Sequence, residues 1–133
     1  MPRFCLETNI PSKQIPENFM SLCVQNLSKL TGKPETFCVC FIQTDQNMFF
    51  GDDDKPCAIA NISSIGGLGI EDNKRYCNVF FKLIEEYLGI SQKKIWLTFT
   101  ENLPEFVTFK GKSFYHITMC RDPGTPIIHS PDE

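Results

Sequence analysis

No apolar run in this sequence approaches the roughly 20 residues that a membrane-spanning helix needs. The first 20 residues, broken by Glu7, Pro11, Lys13 and Pro16, contain no signal-peptide core either. A cytoplasmic start and no membrane insertion are therefore expected. Positive charge is also in deficit, with 13 Lys and Arg against 16 Asp and Glu and a net charge of -3. A clustered positive field is what non-specific polyanion binding requires, so no nucleic-acid partner is expected. Histidine is scarce: His116 and His129 are the two, and neither stands at ligand spacing to a cysteine or to the other. Even with Cys38 and Cys40 sharing a strand face, no metal site follows from that pattern. The seven cysteines (Cys5, Cys23, Cys38, Cys40, Cys57, Cys77, Cys120) are odd in number, contain no C-x-x-C pair and mostly lie within apolar runs. They read as reduced thiols packed as small hydrophobes.

What is present is a chain of 133 residues, 41% hydrophobic, with 12 Phe. That length buries about two-thirds of the surface an unfolded chain exposes, enough for one domain without a disulfide or metal staple. One constant shift lays Phe4 on Ile62, Leu30 on Leu88, Phe37 on Ile95, Val39 on Leu97 and Phe41 on Phe99, so the chain reads as a duplicated unit over about 2–44 and 57–102. Each unit runs strand, helix, strand. In the first, residues 3–8 alternate, 17–30 carry Phe19, Leu22, Cys23, Leu27 and Leu30 on one helical stripe, and 37–42 form an apolar β-rich run. In the second the corresponding segments are 57–63, 72–88 and 94–100. Gly32 and Gly89 follow their helices where a left-handed cap belongs.

The fold class expected is α/β in the broad sense (α+β), a four-stranded mixed sheet with both helices on one face. The other face, assigned Cys38, Cys40, Ile42, Ile59, Trp96 and Thr98, is too apolar to leave in water, so oligomerisation through it is expected. Residues 106–109 and 114–119 read as short strands about a Lys110-Gly111-Lys112 turn. The domain is placed at 1–115, with 116–133 an extension that is partly strand and then an irregular, proline-containing tail.

The chemical candidates begin at Pro2, behind an initiator Met that aminopeptidases remove before small residues. A free secondary amine at the head of a strand titrates near 8, lower when desolvated or beside a cation, and so serves as a general base at neutral pH. Lys33, in Gly32-Lys33-Pro34, either pairs with an anionic substrate or satisfies the last carbonyls of its helix. The stretch Ser64-Ile65-Gly66-Gly67-Leu68-Gly69 joins a strand to a helix but lacks the G-x-G-x-x-G spacing of a nucleotide site. Asp52-Asp53-Asp54 lacks the alternation of a calcium loop and reads as a solvated turn.

Pro2, Thr8-Asn9-Ile10-Pro11, Gly32-Lys33-Pro34, Phe50-Gly51, Pro56-Cys57-Ala58 and Ser64-Ile65-Gly66, with the spacing between them, resemble the macrophage migration inhibitory factor family, which includes D-dopachrome tautomerase. The resemblance implies a homotrimer whose sheets form a central barrel. It also implies a cofactor-free keto-enol tautomerase site at each subunit interface, acting on phenylpyruvate-like or dopachrome-like compounds. By that likeness Pro2 is the catalytic base and Lys33 binds the substrate oxygen, with the Ile65 backbone beside Ser64 adding a hydrogen bond. Phe37, Val107, Phe109 and Phe114 form apolar walls, and Trp96 and Thr98 reach in from the neighbouring subunit. The founding member has tyrosine and asparagine at those last two positions. Its C-x-x-C pair is broken here, where Ala60 stands after Cys57. The family further implies a cytokine-like role, with a cell-surface receptor and export that needs no signal peptide. The competing reading is a non-catalytic ligand with a relic pocket.

Overall fold

The computed structural model describes residues 1–119. Four strands, β1 (Arg3–Thr8), β2 (Val39–Gln43), β3 (Ala58–Ser64) and β4 (Ile95–Glu101), form one sheet in the order β2-β1-β3-β4. β1 runs parallel to β2, β3 parallel to β4, and the two units meet antiparallel at β1 and β3, with Phe4 beside Ile62. This is the mixed sheet expected from two right-handed β-α-β crossovers. Helices α1 (Phe19–Thr31) and α2 (Ile70–Leu88) cover one face. Every second strand side chain meets them there. The Phe4 and Phe80 rings stack at 4.6 Å, and Phe19, Cys23 and Leu27 of α1 are fully buried beside them. Each such aromatic stabilises the fold by about 1.5–3 kcal/mol.

Local chemistry explains the motifs. Gly32 and Gly89 take positive φ (72° and 70°) and turn the chain off α1 and α2. In the Thr8-Asn9 pair, the buried Thr8 hydroxyl donates to the Cys57 carbonyl at 2.7 Å, while the Asn9 amide donates to the Asp54 and Lys55 carbonyls and accepts from the Cys57 N–H. These bonds clamp the 44–57 loop against the head of β3. The aspartate run does more than solvate: Lys94 bonds Asp53 at 3.2 Å and the Phe50 carbonyl at 3.0 Å, and sits 5.5 Å above the Phe50 ring.

Two expectations need correction. Cys38, Cys40 and Ile42 pack against the helix-side core, not on the bare face. The parallel register sets Cys40 beside the core-facing Phe4, which turns Val39 and Phe41 outward instead. Cys40 there meets Cys23 of α1, and the hydrogen bond between the two thiols raises the Cys23 pKa and lowers that of Cys40. The second correction concerns residues 114–119, which form a short helix, α3 (Phe114–Met119), rather than a strand. A hairpin of β5 (Thr108–Phe109) and β6 (Lys112–Ser113) precedes it, turning on Lys110 and Gly111, both at positive φ. The Ser113 hydroxyl then accepts from the His116 N–H and starts the helix. The irregular tail lies outside the described residues.

Candidate active site at the head of the first strand

Pro2 is fully buried at the entrance to β1. Its carbonyl accepts from the Val39 N–H at 3.1 Å, so β2 holds it from one side. On the other side the antiparallel register that pairs Arg3 with Ser63 brings Ser64 opposite Pro2. The Ser64 side chain is buried, and its carbonyl accepts from the Asn102 N–H at 2.8 Å, which ties the segment after β4 to the same place. Ile65 follows, half-buried, where β3 gives way to the glycine loop. In that loop Gly66 and Gly67 take φ of 72° and 73°, a pair of left-handed residues that side chains other than glycine adopt at a cost.

The walls are aromatic. Phe37 lies on the turn before β2, its ring 5.7 Å from Phe114 and 6.3 Å from Phe109. Phe37 and Phe114 are buried, and the Phe114 N–H donates to the Val107 carbonyl at 2.8 Å, which locks the hairpin and α3 onto this cluster. Lys33 stands exposed just past Gly32, its carbonyl accepting from the Ser28 hydroxyl. Among the described residues no carboxylate pairs with its ammonium. Its charge is felt at the terminal amine, whose pKa it lowers.

The electrostatics follow from that packing. The terminal amine, carried by Met1, is lowered from 8.0 to about 6, first by burial and then by the Lys33 charge, with the Cys38 thiol acting the other way. An amine so placed is neutral at pH 7 and has a lone pair to offer. Cys38 is a neighbour that sequence reasoning missed here, its own pKa pushed up to about 11, chiefly by burial. The pairing of β1 with β2 was the signal for it, since Cys38 follows Phe37 directly and precedes the residue bonded to Pro2.

Trp96 and Thr98 are not brought to this cluster within one chain. They project from the bare sheet face into a separate cavity of about 720 Å³, with Cys5, Glu7, Phe49 and Ile59 around them. The Trp96 ring is 61% exposed and open to a partner. Thr98 is engaged: its hydroxyl accepts from the Asn61 amide at 2.9 Å and donates to the Ala60 carbonyl at 3.4 Å. Among the described residues no group of three His, Cys, Asp or Glu could hold a metal ion, and no helix is long and apolar enough to cross a membrane.

Two β-α-β units joined antiparallel in one four-stranded mixed sheet, with two helices on one face, define the tautomerase-like class of fold. Comparison with known proteins narrows the class to one family. The family model for macrophage migration inhibitory factor (MIF) matches residues 1–115, and the chain belongs to that family. It is 32% identical over 114 residues to the macrophage migration inhibitory factor of Mus musculus, covering 86% of this chain and 99% of the mouse one. Among solved structures it is similar to the factor from Trichinella spiralis (TM-score 0.81, 28% identity, 84% of this chain and 99% of that one). The factor from Oncomelania hupensis is also similar (TM-score 0.82, 25% identity, 85% and 82%).

Proposed function

We propose that this chain is a cofactor-free keto-enol tautomerase whose base is the amine of Pro2 once Met1 is removed. The observation that carries the reading is the environment at the head of β1, where burial and the Lys33 charge lower the pKa of the Met1 amine one residue away from Pro2, beside the aromatic cluster of Phe37 and Phe114. In the reaction the neutral nitrogen takes a proton from the carbon next to a keto group. Negative charge then develops on the keto oxygen, where Lys33 offsets it, and the ammonium returns its proton to that oxygen. Phe37, Val107, Phe109 and Phe114 exclude water and hold an aryl group, so phenylpyruvate-like or dopachrome-like compounds fit the pocket. Ser64 and the backbone of Ile65 line the side opposite β2.

The working unit is a homotrimer. Val39, Phe41, Ile59 and Trp96 are each about two-fifths to three-fifths exposed on the bare sheet face, an apolar area that a partner subunit covers. Closure of the sheets around a threefold axis brings Trp96 and Thr98 of one copy toward the Pro2 site of the next. Within this reading the domain ends near residue 115, and the protein is cytoplasmic with export that needs no signal peptide.

One observation favours a second reading, a cytokine-like ligand acting on a cell-surface receptor with a weakened pocket. The Thr98 hydroxyl is already satisfied within its own sheet. The deciding experiment measures phenylpyruvate enol-keto conversion on protein whose Met1 removal is verified by mass spectrometry, against protein that retains Met1. Turnover by the first and none by the second is expected. Equal rates would assign the base to another group, and no turnover by either would favour the ligand reading.

A further inference from the structure

Beside the N-terminus, on the bare side of the sheet, a recess of about 380 Å³ is walled by Met1, Arg3, Asn102, Phe106, Val107 and Thr108. Met1 is one of its walls, so removing Met1 both frees the Pro2 amine and opens the recess onto it. Val107 lines the recess and its carbonyl accepts from the Phe114 N–H, so the recess borders the aromatic cluster. Arg3 flanks the opening from β1, between Val39 and Ser63 in the sheet register. Its guanidinium hydrogen-bonds the Cys5 thiol, and among the described residues no carboxylate lies within ion-pair distance of it. Arg3 lines the recess and Lys33 does not. Phe106 adds a ring that is 79% exposed, an apolar surface with no structural use in the chain itself. Asn102 and Thr108 add an amide and a hydroxyl.

A guanidinium with no carboxylate partner among the described residues, an exposed aromatic face and two neutral hydrogen-bonding groups are what a carboxylate on an aryl or apolar stem requires. We infer that this recess receives a second anionic group of the substrate, with Arg3 as the specificity-determining residue. The preferred substrate is then an enolisable 2-keto acid carrying a further carboxylate at its far end. The inference rests on the tautomerase reading and names the substrate class of that same site.

The test compares para-carboxyphenylpyruvate with its neutral para-carboxamide, using protein freed of Met1. Wild type should prefer the dianion in kcat/KM, and Arg3→Gln should cut the dianion's kcat/KM at least about tenfold, the size of one lost charge-assisted pair. The loss for the amide should be several-fold smaller. Arg3→Lys should restore part of the preference, and Lys82→Gln, which removes the same charge from the outer face of α2, should leave it in place. A binding arm needs no turnover: calorimetry should show 4-carboxyphenylacetate binding wild type more tightly than phenylacetate, with the difference lost in Arg3→Gln. If Arg3→Gln affects both compounds of each pair alike, or neither, the inference is wrong while turnover upholds the tautomerase reading. If nothing turns over, the reaction is excluded and the binding arm alone decides the role of Arg3.

Discussion

The two places that share the chemistry of this protein differ in how finished they are. The head of β1 is closely packed: Pro2 is buried, Phe37 and Phe114 lie together, and among the described residues no carboxylate pairs with Lys33. The Trp96 cavity on the bare sheet face is open, its indole mostly in solvent and its threonine hydroxyl already bonded. A folded chain spends free energy to bury polar groups only where function or packing repays it. On the tautomerase reading proposed above, the first place holds the reacting atoms and the second is the contact surface between copies.

The largest expected effect comes from separating the two places. Phe41→Glu puts a carboxylate on the bare face, at the edge strand β2, without touching the helix-side core or the Pro2 pocket. Burying that charge in an apolar interface costs several kcal/mol, so the assembly should dissociate to folded monomers and enol-keto conversion should fall at least about a hundredfold. Sedimentation velocity and circular dichroism check the two halves of this outcome. A variant that stays assembled, or a monomer with wild-type turnover, would break the division proposed between the two regions.

Lys33→Gln acts inside the finished region and should have the next largest effect. Lys33 depresses the terminal amine, so its removal raises the pKa of that amine. A base works only when neutral, and activity is present above its pKa. On the Pro2 reading the acid limb of the pH-rate profile should therefore move to higher pH when Lys33 is removed, while kcat/KM for a carboxylate substrate falls by about ten- to a hundredfold. A profile that stays in place would show that burial alone sets the amine.

How far these regions could be read from sequence depends on contrast between neighbouring residues. The helix stripes of α1 and α2 were legible because polar residues separate their apolar positions, and Gly32 and Gly89 marked the ends. β1 was legible to the residue because Arg3, Cys5 and Glu7 alternate with Phe4, Leu6 and Thr8. β2 was not: Val39, Cys40, Phe41 and Ile42 are all apolar, so the run carries no sign of which face is which, and only the pairing with Phe4 decides it. α3 was hidden for a different reason. Ile117 and Thr118 favour strands, and the signal that wins is the Ser113 hydroxyl on the His116 N–H, a cap visible only once Ser113 is known to end a strand. Pro2, Lys33 and the Ser64–Ile65 stretch stood out from their own chemistry and position, whereas Phe37, Val107, Phe109, Phe114, Trp96 and Thr98 came through family likeness. The Cys38 thiol and the Arg3 recess needed the sheet register, which no single segment contains.

Ser113→Ala tests that hidden element and should have a moderate effect. Losing the cap destabilises α3 by about 1 kcal/mol, and because Phe114 of α3 walls the Pro2 pocket, KM should rise a few-fold with little change in kcat. Titration of initial rates against substrate separates the two constants. An unchanged KM would mean that the Phe114 ring is held by Phe37 and Val107 without help from the helix.

The smallest effect is expected at the unfinished region, from freeing Thr98. The Asn61 amide donates to the Thr98 carbonyl at 3.3 Å, to its hydroxyl at 2.9 Å and to the Thr100 hydroxyl at 3.1 Å, all on the exposed side of the sheet. Exposed hydrogen bonds contribute little net stability, so Asn61→Ala should lower it by about 0.5–1 kcal/mol and leave the fold intact. The released Thr98 hydroxyl then has an unused acceptor site facing the neighbouring subunit. If the weak point of the site is that engaged hydroxyl, kcat/KM should rise by about two- to threefold, read by the same enol-keto assay on trimer of verified mass. A fall instead would mean that Asn61 positions the Thr98 side chain for the neighbour's pocket, and the region taken as unfinished would prove to be already set for use.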